Sequence, residues 1–358
     1  MASPHWTRLA GRVRGRSRLL KIAIIYDGGA DDWGPADIRS VLEPVNEVAE
    51  ALKALGHQVV RVPVHADLSW FDAVREVDAV FNLCEGVAGV SYRECNVAAA
   101  LELARVPFTG GGSWMMTVCL RKPLLNAVLR SAGLPVPRWH VPESRHPLPD
   151  DFPLPAIVKP AEEDASVGID QRSIVTARPE LEARVIESQE DYGEVIVQEY
   201  VSGREIAVAF VGEHTLPLSE IDFRDLDDDR WPIVSFEAKW TPGSPDDKGT
   251  QPVCPAPVEP ELAAQIVATA TTAWDTVDGW GYGRVDMRVD ADGCPWVLEV
   301  NPNPDISSDA GLVRMARAYG WSHQDLVRHI VDAAFVGVPE PPSRLERHKA
   351  AVAETTAA

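Results

Sequence analysis

Asp286, Glu299 and Asn301 are the residues best placed to do chemistry. Asp286 alternates with Val285 and Met287 in an apolar run, Ala291-Asp292-Gly293 supplies a turn, and Glu299 and Asn301 follow two positions apart in the next run. Residues two apart on a strand share a face, so a hairpin here gathers two carboxylates and an amide oxygen on one surface. Hard oxygen donors of this kind suit Mg2+, which keeps several waters and borrows further ligands from nucleotide phosphates. An ordinary solvated hairpin face carries acids too, and that reading stays open at this point.

A second group is cationic. Lys159 closes the apolar run Ala156-Ile157-Val158 and precedes 160–168, where Ala165, Ser166 and Gly168 are small enough for backbone N–H groups to approach phosphates. Lys122 lies upstream. No G-x-x-x-x-G-K-[ST] motif occurs, so this is not a P-loop, and a lysine before a small-residue loop also fits a plain surface position.

These groups need a scaffold. Leu19 to Tyr26 is an apolar run ended by Asp27-Gly28-Gly29, as in a buried parallel strand. Apolar residues at helical spacing from Val41 to Leu55 predict a helix stopped by Gly56, and 57–64 and 78–83 read as two more strands. With a helix over 96–103 and the turn at Gly110 to Gly112, this part reads as doubly wound α/β. Ligands would meet it at the strand tips 27–33, 84–94 and 109–114. A helix over 124–131 is broken by Gly133-Leu-Pro-Val-Pro137. Strand composition recurs at 156–159, 173–175, 195–199, 205–211, 284–289 and 296–300, with one long helix over 260–276. Pro, Gly and Asp in 242–257 predict an exposed loop, and 339–358 reads as a disordered tail.

The chain has 358 residues, 45 % hydrophobic and 25 % charged, with no run of eighteen apolar residues. That is enough for two or three domains and leaves no membrane span. The formal charge of −20, from 54 acids and 34 bases, argues against a phosphate-backbone surface, so nucleic acid is not an expected partner. Met1 to Lys21 runs against the trend with six bases and no acid. Lacking an apolar stretch and an A-x-A site, residues 1–20 read as a disordered leader and not as a secretion signal. Five scattered cysteines without a C-x-x-C pair suggest neither a disulfide framework nor a zinc knuckle, and point to a reducing cytoplasm.

Several short motifs occur in a telling order: Pro107-Phe-Thr-Gly110, Lys122 with Ala132-Gly-Leu-Pro135, Val158-Lys-Pro160, Ser166-Val-Gly-Ile169 and Gln198-Glu-Tyr-Val-Ser-Gly-Arg-Glu205. Glu220-Ile221, Glu237-Ala-Lys239, Arg284-Val-Asp286 and Leu298-Glu-Val-Asn301 follow. Together, over residues 21–335, they resemble the ATP-grasp ligases, in particular the D-alanine–D-alanine ligase family. The resemblance implies an α/β ATP-grasp fold with an N-terminal doubly wound, Rossmann-like domain. The implied division is a leader at 1–20, an N-terminal domain at 21–118, a central subdomain with the phosphate loop at 119–195, a C-terminal subdomain with the metal site at 196–338, and a tail at 339–358.

The same resemblance implies roles. Lys122 and Lys159 would hold ATP phosphates, Lys239 would reach the terminal phosphate, and the loop 163–168, with Ser166, Val167 and Gly168, would close over the nucleotide. Glu199 and Val201, next to Gln198, would pair with adenine through their backbone, and Glu205 would take the ribose hydroxyls. Asp286, Glu299 and Asn301 would bind two Mg2+ ions, or Mn2+, with Glu299 bridging. The implied reaction moves the γ-phosphoryl group of ATP onto a carboxylate, and an amine attacks the acyl phosphate to leave an amide and ADP. Arg284 would stand beside the tetrahedral intermediate. A cytoplasmic homodimer acting on small-molecule carboxylate and amine substrates is also implied.

The amino-acid half departs from the family pattern. The family orients its first substrate's amine with a glutamate after strand one, a serine in the phosphate loop and a tyrosine after the third-motif lysine. Here those places hold Gly28-Gly-Ala-Asp-Asp-Trp-Gly-Pro35, Ala165 and Trp240. Neither alanine nor indole supplies a hydroxyl. Glu85-Gly86 replaces a His-Gly step, and Ala310-Gly311 replaces the Ser-Leu pair that receives the acceptor's carboxylate. Losing such groups predicts different amino-acid or amine substrates.

The acids near the expected cleft are Asp27, Asp31, Asp32, Glu85, Glu94, Asp164, Asp305 and Asp309; they favour an amine-bearing substrate, although a chain of this charge scatters acids widely. Asp27, Glu85, Asp164, Trp240 and Asp305 are the substrate candidates. Trp33, Trp114 and Trp240 fall at loop tips, where they line a pocket or simply pack. The competing readings are a D-alanine–D-alanine ligase proper, a catalytically inactive nucleotide-binding relative, and a phosphotransferase.

Overall fold

β1 (Lys21–Asp27) is buried from Ile22 to Ile25, on both faces, as a central parallel strand requires. The computed structural model describes residues 19–30, 33–143 and 145–336. The expected tail at 339–358, nearly all of the leader at 1–20, and the candidates Asp31 and Asp32 lie outside the described residues. α1 (Pro35–Ala54) has proline in its first turn, and Asp37 accepts a hydrogen bond from Gly34 N at 2.8 Å. It starts before the expected Val41 because residues 37–40 are exposed, and Ile38, their one apolar side chain, faces solvent and joins no buried stripe. β2 (Gln58–Val64), the single turn α2 (Phe71–Val74) and β3 (Ala79–Asn82) complete a parallel sheet ordered β2-β1-β3.

α3 (Glu94–Ala104) is followed, after the glycine turn, by α4 (Ser113–Leu120). Met115, Met116, Val118, Cys119 and Leu120 of α4 are all buried. A helix apolar all round has no amphipathic stripe, so periodicity does not reveal it. α5 (Lys122–Ser131) begins directly after Arg121, with Lys122 as its first residue.

A four-stranded antiparallel sheet follows, ordered β4-β7-β5-β6, from β4 (Trp139–His140), β5 (Ala156–Pro160), β6 (Ile174–Val175) and β7 (Val195–Glu199). Of the expected strand at 173–175, Ser173 belongs to a 3-10 turn, and only the next two residues pair. The expected boundary at 195 falls inside β7, whose pairing with β4 and β5 gives the whole strand to this sheet. α6 (Arg178–Tyr192), not foreseen from sequence, covers the sheet. It buries Leu181, Arg184, Val185 and Ser188, a narrow i, i+3, i+4, i+7 stripe in a charged segment.

The largest sheet runs β11-β10-β8-β12-β13, with β9 on the side of β8. Its strands are β8 (Arg204–Val211), β9 (His214–Thr215), β10 (Ser219–Asp222), β11 (Gln251–Val253), β12 (Tyr282–Val289) and β13 (Pro295–Asn301). Three helices interrupt them: α7 (Phe236–Trp240), α8 (Pro245–Gly249) and α9 (Pro260–Thr276). Ile206, Val208, Phe210, Val285, Met287 and Val297 pack with residues of α4, α5 and α9 in one core. By strand alternation the opposite face carries Glu205, Arg284 and Asp286.

The segment 242–257, expected as an exposed loop, instead contains α8 and β11. Asp246 is 1 % exposed there and takes hydrogen bonds from Gln171 Nε2, Ser235 Oγ and Arg230. A buried carboxylate satisfied by three partners orders a segment whose composition favours turns.

The end of the chain seals its beginning. α10 (Gly311–Tyr319) and α11 (His323–Ala334), both missed from sequence, place Leu312, Leu326, Val327 and Ile330 in one core with Ile22, Ile24, Val48 and Leu52. Among the described residues no helix is long and apolar enough to cross a membrane.

Candidate active site

β12 and β13 form the expected hairpin. Asp286 stands directly opposite Glu299, Arg284 stands opposite Asn301, and a bulge follows Asp286. Asp290 fixes the turn by accepting from Asp292 N at 3.0 Å, Cys294 N at 2.9 Å and Trp296 Nε1 at 2.7 Å. Arg284 grips Asp286 with two hydrogen bonds, Nε to Oδ1 at 2.7 Å and Nη2 to Oδ2 at 2.9 Å. The Asp286 carboxylate raises the Arg284 pKa above its ordinary value, so the cation is permanent. Among the described residues, no cluster of three or more His, Cys, Asp or Glu side chains is arranged to hold a metal alone. Two carboxylates and an amide oxygen are a partial ligand set of hard donors, completed only by waters and phosphate oxygens. That is the manner in which Mg2+ binds beside nucleotides, so the residues fit a divalent cation that arrives with ATP.

Across from this platform lie the lysines. Lys159 projects from β5 and donates Nζ to Gln198 Oε1 on β7 at 3.0 Å. Desolvation and then the charge of Lys122 push its pKa down to about 8, against the opposing pull of Glu299 and Glu205. These charges therefore share the space between the four-stranded sheet and the β12–β13 hairpin. Lys122 is tied in place twice, by its N–H to Ala161 O at 3.0 Å and by Nζ to the Glu163 carbonyl.

The loop 163–168 is closed down. Ser166 Oγ donates to Val234 O at 2.8 Å, and Trp240 Nε1 donates to Ala165 O at 3.0 Å. Ala165 and Ser166 both sit in the left-handed region. Gly168 does so as well, at φ +72°, and a Cβ there would fall 2.6 Å from Pro160 Cγ and 2.9 Å from Tyr192 Cε2, so glycine is required. Desolvation and Glu299 push Asp164 up to about 6, although Lys122 and Lys239 pull it down. Lys239, exposed on α7, thus faces the same space.

Glu205 is the cross-strand partner of Arg288, which holds it at 2.8 Å. Arg288 is nearly buried, donates to Gly203 O at 3.0 Å and to Pro232 O, and lies over the rings of Tyr200 and Phe223. Sequence reasoning missed this residue, although Arg284, Asp286 and Arg288 recur at two-residue spacing on one face. Glu199 N donates to Arg138 O at 2.7 Å, whereas the N–H of Val201 has no partner among the described residues.

Of the substrate candidates, three carboxylates from three sequence-distant loops converge. Glu85 opens onto the cleft yet lies deep among protein atoms; desolvation, then Asp305 and Asp164, push it up to about 7. Asp305 also accepts from Ser307 N at 2.8 Å and Ser307 Oγ at 2.6 Å. Asp27 behaves differently from expectation. Its carboxylate accepts from Gly29 N at 2.9 Å and from Ala88 N and Gly89 N at 3.0 Å each, so it shapes the neighbouring loop instead of facing a ligand. Trp240 serves the phosphate loop as described, and Trp33 packs beside Gly29 and Gly89.

One further residue escaped the sequence. Asn303 accepts from Tyr282 OH at 2.6 Å, donates Nδ2 to Glu94 Oε1 at 3.0 Å, and donates its N–H to Asn301 Oδ1 at 3.0 Å. It links Asn301 of the platform to Glu94, whose pKa burial holds well above the usual carboxyl range. A cavity of about 330 Å³ lies between Gly89–Tyr92 and Glu162–Glu163; Lys159, Lys239, Asp286 and Glu299 do not line it.

The family model described as D-ala D-ala ligase C-terminus matches residues 128–332. The chain is 30 % identical over 332 residues to a D-alanine–D-alanine ligase of Methylococcus capsulatus, covering 90 % of this chain and 99 % of that one. It is 32 % identical over 256 residues to an uncharacterized protein, y4sG, of Sinorhizobium fredii, covering 71 % and 74 %. Its fold matches the D-alanine–D-alanine ligase of Bacillus anthracis complexed with ATP, with a TM-score of 0.71 at 20 % identity over 92 % of this chain and 99 % of that one. It also matches the VanG D-Ala:D-Ser ligase of Enterococcus faecalis, at 0.68 and 19 % over 88 % and 100 %. With a family model spanning more than half its length and a relative aligned almost end to end, this chain belongs to the D-alanine–D-alanine ligase family and is an ATP-grasp, ADP-forming carboxylate–amine ligase.

Proposed function

We propose that this ligase joins a small amine-bearing carboxylate donor to an amine acceptor, with ATP and two divalent cations, Mg2+ or Mn2+, and that its substrates are not two D-alanines. ATP lies between the four-stranded sheet and the β12–β13 hairpin. Lys122 and Lys159 hold its phosphates, Lys239 reaches the terminal one, and Ser166, Val167 and Gly168 cover them. The backbone at Glu199 and Val201, beside Gln198, meets adenine, and the free side of Glu205 meets ribose. Asp286, Glu299 and Asn301 hold the cations, which neutralise charge on phosphoryl oxygens.

The chain's own residues do the rest. The lysines fix the phosphates near the donor carboxylate, and the closed loop excludes water. Arg284 stabilises the oxyanion that forms when the amine attacks the acyl phosphate. The observation that carries this reading is the facing of Asp286 against Glu299, with Arg284 bonded to Asp286 and the Lys122–Lys159 pair opposite.

The substrate assignment has its own support. Ala165, Trp240, Ala310 and Gly311 offer no hydroxyl where the family uses one or packs a side chain, and Glu85, Asp164 and Asp305 together suit an ammonium group. The identity to D-alanine–D-alanine ligases favours a second reading, in which an altered pocket still makes the D-alanine dipeptide.

Incubation with ATP, Mg2+ and D-alanine alone, then with a panel of amino acids and amines, separates the two when products are read by mass spectrometry. Dipeptide from D-alanine at the highest rate in the panel supports the second reading. Amide products from other pairs alone support the first. ADP with a stable phosphorylated product and no amide would overturn both.

A further inference from the structure

Asp246 lies within an excursion from the largest sheet. β10 and β11 pair directly, with Asp222 opposite Gln251, and residues 223–250 leave from that pair and return to it. Between those ends the chain crosses to the four-stranded sheet, where Trp231 and Ile233 pack with Ile157 and Ile174. The excursion carries α7, and with it Lys239 and Trp240. The lysine assigned to the terminal phosphate therefore stands on a segment rooted in one sheet and resting on the other.

One carboxylate fixes the resting end. Asp246 is 1 % exposed and accepts from Arg230 Nη1, from Ser235 Oγ, and from Gln171 Nε2 at 3.2 Å to each of its oxygens. Burial opposes its charge, yet the hydrogen bonds of Ser235, Gln171 and Arg230 hold its pKa below the ordinary value. Two of these donors lead to the nucleotide site. Ser235 is the N-cap of α7 and accepts from Ala238 N at 3.1 Å. Gln171 opens the 3-10 turn that follows the phosphate loop, and its Oε1 accepts from Trp231 N at 2.7 Å. Beside them Phe236 N donates to Ile169 O at 2.8 Å. A buried carboxylate with several donors is costly to disturb, since any loss leaves a charge or a donor stranded away from water. The family motifs pass it by, because Glu237-Ala-Lys239 is followed next by Arg284-Val-Asp286.

We propose that Asp246 is a positioning residue for phosphoryl transfer, which by holding the Ser235 cap and Gln171 together makes α7, with Lys239, and the phosphate loop a single lid over the γ-phosphate. This rests on the ligase reading above and on the place of Lys239 in it. Asp246 acts through its partners and not by touching ATP. A cation held in place at the terminal phosphate adds to the binding of ATP. ADP offers that cation nothing to meet.

Titration calorimetry with Mg2+ and either ADP or a nonhydrolysable ATP analogue separates this role from a general loss of structure. Asp246→Asn keeps the size but sets an amide NH2 among donors; it should weaken the analogue about tenfold, the scale of one charge-assisted contact, and change ADP affinity less than about twofold. Gln171→Leu removes only the bridge on the loop side and should weaken the analogue by a smaller factor, again sparing ADP. In the double variant the two losses should not add, because both break one network. An unchanged affinity for the analogue in Asp246→Asn, an equal loss for analogue and ADP, or additive losses in the double variant overturns the proposal and leaves the ligase reading intact. Should Asp246→Asn show no cooperative unfolding transition, the wild type decides. Its hydrogen exchange should slow in 163–171 and 230–246 together when the analogue binds, and protection of one segment without the other overturns the proposal. A wild type that binds neither nucleotide overturns the ligase reading and this proposal with it.

Discussion

Arg284 and Asp286 are locked together on one face of β12 by two hydrogen bonds of 2.7 and 2.9 Å, and Asp286 stands opposite Glu299 on β13. A cation bound there would meet a carboxylate whose orientation an arginine has already set. Groups aimed in advance cost no reorganisation when charge develops. The third nitrogen of the same arginine points toward Gly311, where Arg314 Nη2 comes equally close.

Replacing Arg284 with alanine should lower kcat about a hundredfold, the usual scale for losing a donor to a developing oxyanion. Because Arg284 also orients Asp286, the Mg2+ concentration that gives half-maximal rate should rise as well. ATP affinity measured without metal should stay the same. Steady-state kinetics over a Mg2+ series checks this, and full turnover with damaged ATP affinity would contradict the assignment.

Lys159 holds its pKa at about 8, below the ordinary 10.5, mainly through desolvation. ATP affinity, read by titration calorimetry, should weaken as pH rises through about 8 as this cation is lost. Lys159→Arg should flatten that limb, since a guanidinium stays charged. Stability of the ligand-free protein moves oppositely. The unfolded chain binds more protons between about 8 and 10.5, so stability rises with pH across that window and the gain is lost as pH falls through about 8. A wild-type affinity that is flat from pH 7 to 9 sinks the phosphate role.

Glu85 is held at about 7, above the ordinary 4.5, by desolvation and by Asp305 and Asp164. With the folded value raised, its contribution to stability is complete below about pH 4.5 and lost as pH rises through about 7. Glu85→Gln removes the charge, so its melting temperature should exceed that of the wild type at pH 8 and converge with it in acid. Scanning calorimetry at several pH values gives the comparison. Parallel curves would mean that Glu85 is not held above its ordinary value at all.

Trp240 donates to Ala165 O across the mouth of the phosphate loop. Trp240→Phe keeps a ring and loses that bond, a net term of about 1 kcal/mol, and should raise the KM for ATP about fivefold. Because Trp240 is 52 % exposed, the melting temperature should change little. Limited proteolysis within 163–168 should quicken. An unchanged KM together with unchanged cleavage would show that the bond does not hold the loop.

The hairpin was legible because its signals are local. Alternation around Asp286, a turn at Ala291-Asp292-Gly293 and two-residue spacing from Glu299 to Asn301 fix which side chains share a face before any folding partner is known. The helix over 260–276 was equally plain, with proline at its start and a regular apolar stripe. The family motifs were readable for a similar reason, since each is a short run whose backbone course is set within a few residues.

Packing between distant segments decided the remainder. α4 shows no stripe because Met115, Val118 and Cys119 pack into the core of the largest sheet while Met116 and Leu120 pack into that of the parallel sheet, and α11 is a helix whose apolar face answers β1 and α1 at the other end of the chain. Nothing near Asp27 says that its carboxylate will be spent on Ala88 and Gly89, and nothing near Glu94 announces Asn303, 209 residues away. Arg314 reads as one more surface arginine until folding brings its Nη2 near the Arg284 guanidinium at Gly311. Sequence periodicity specifies which face of an element is apolar. Which charges end up as neighbours, and how much water they lose, depends on how those faces meet, and that exists only in the folded chain.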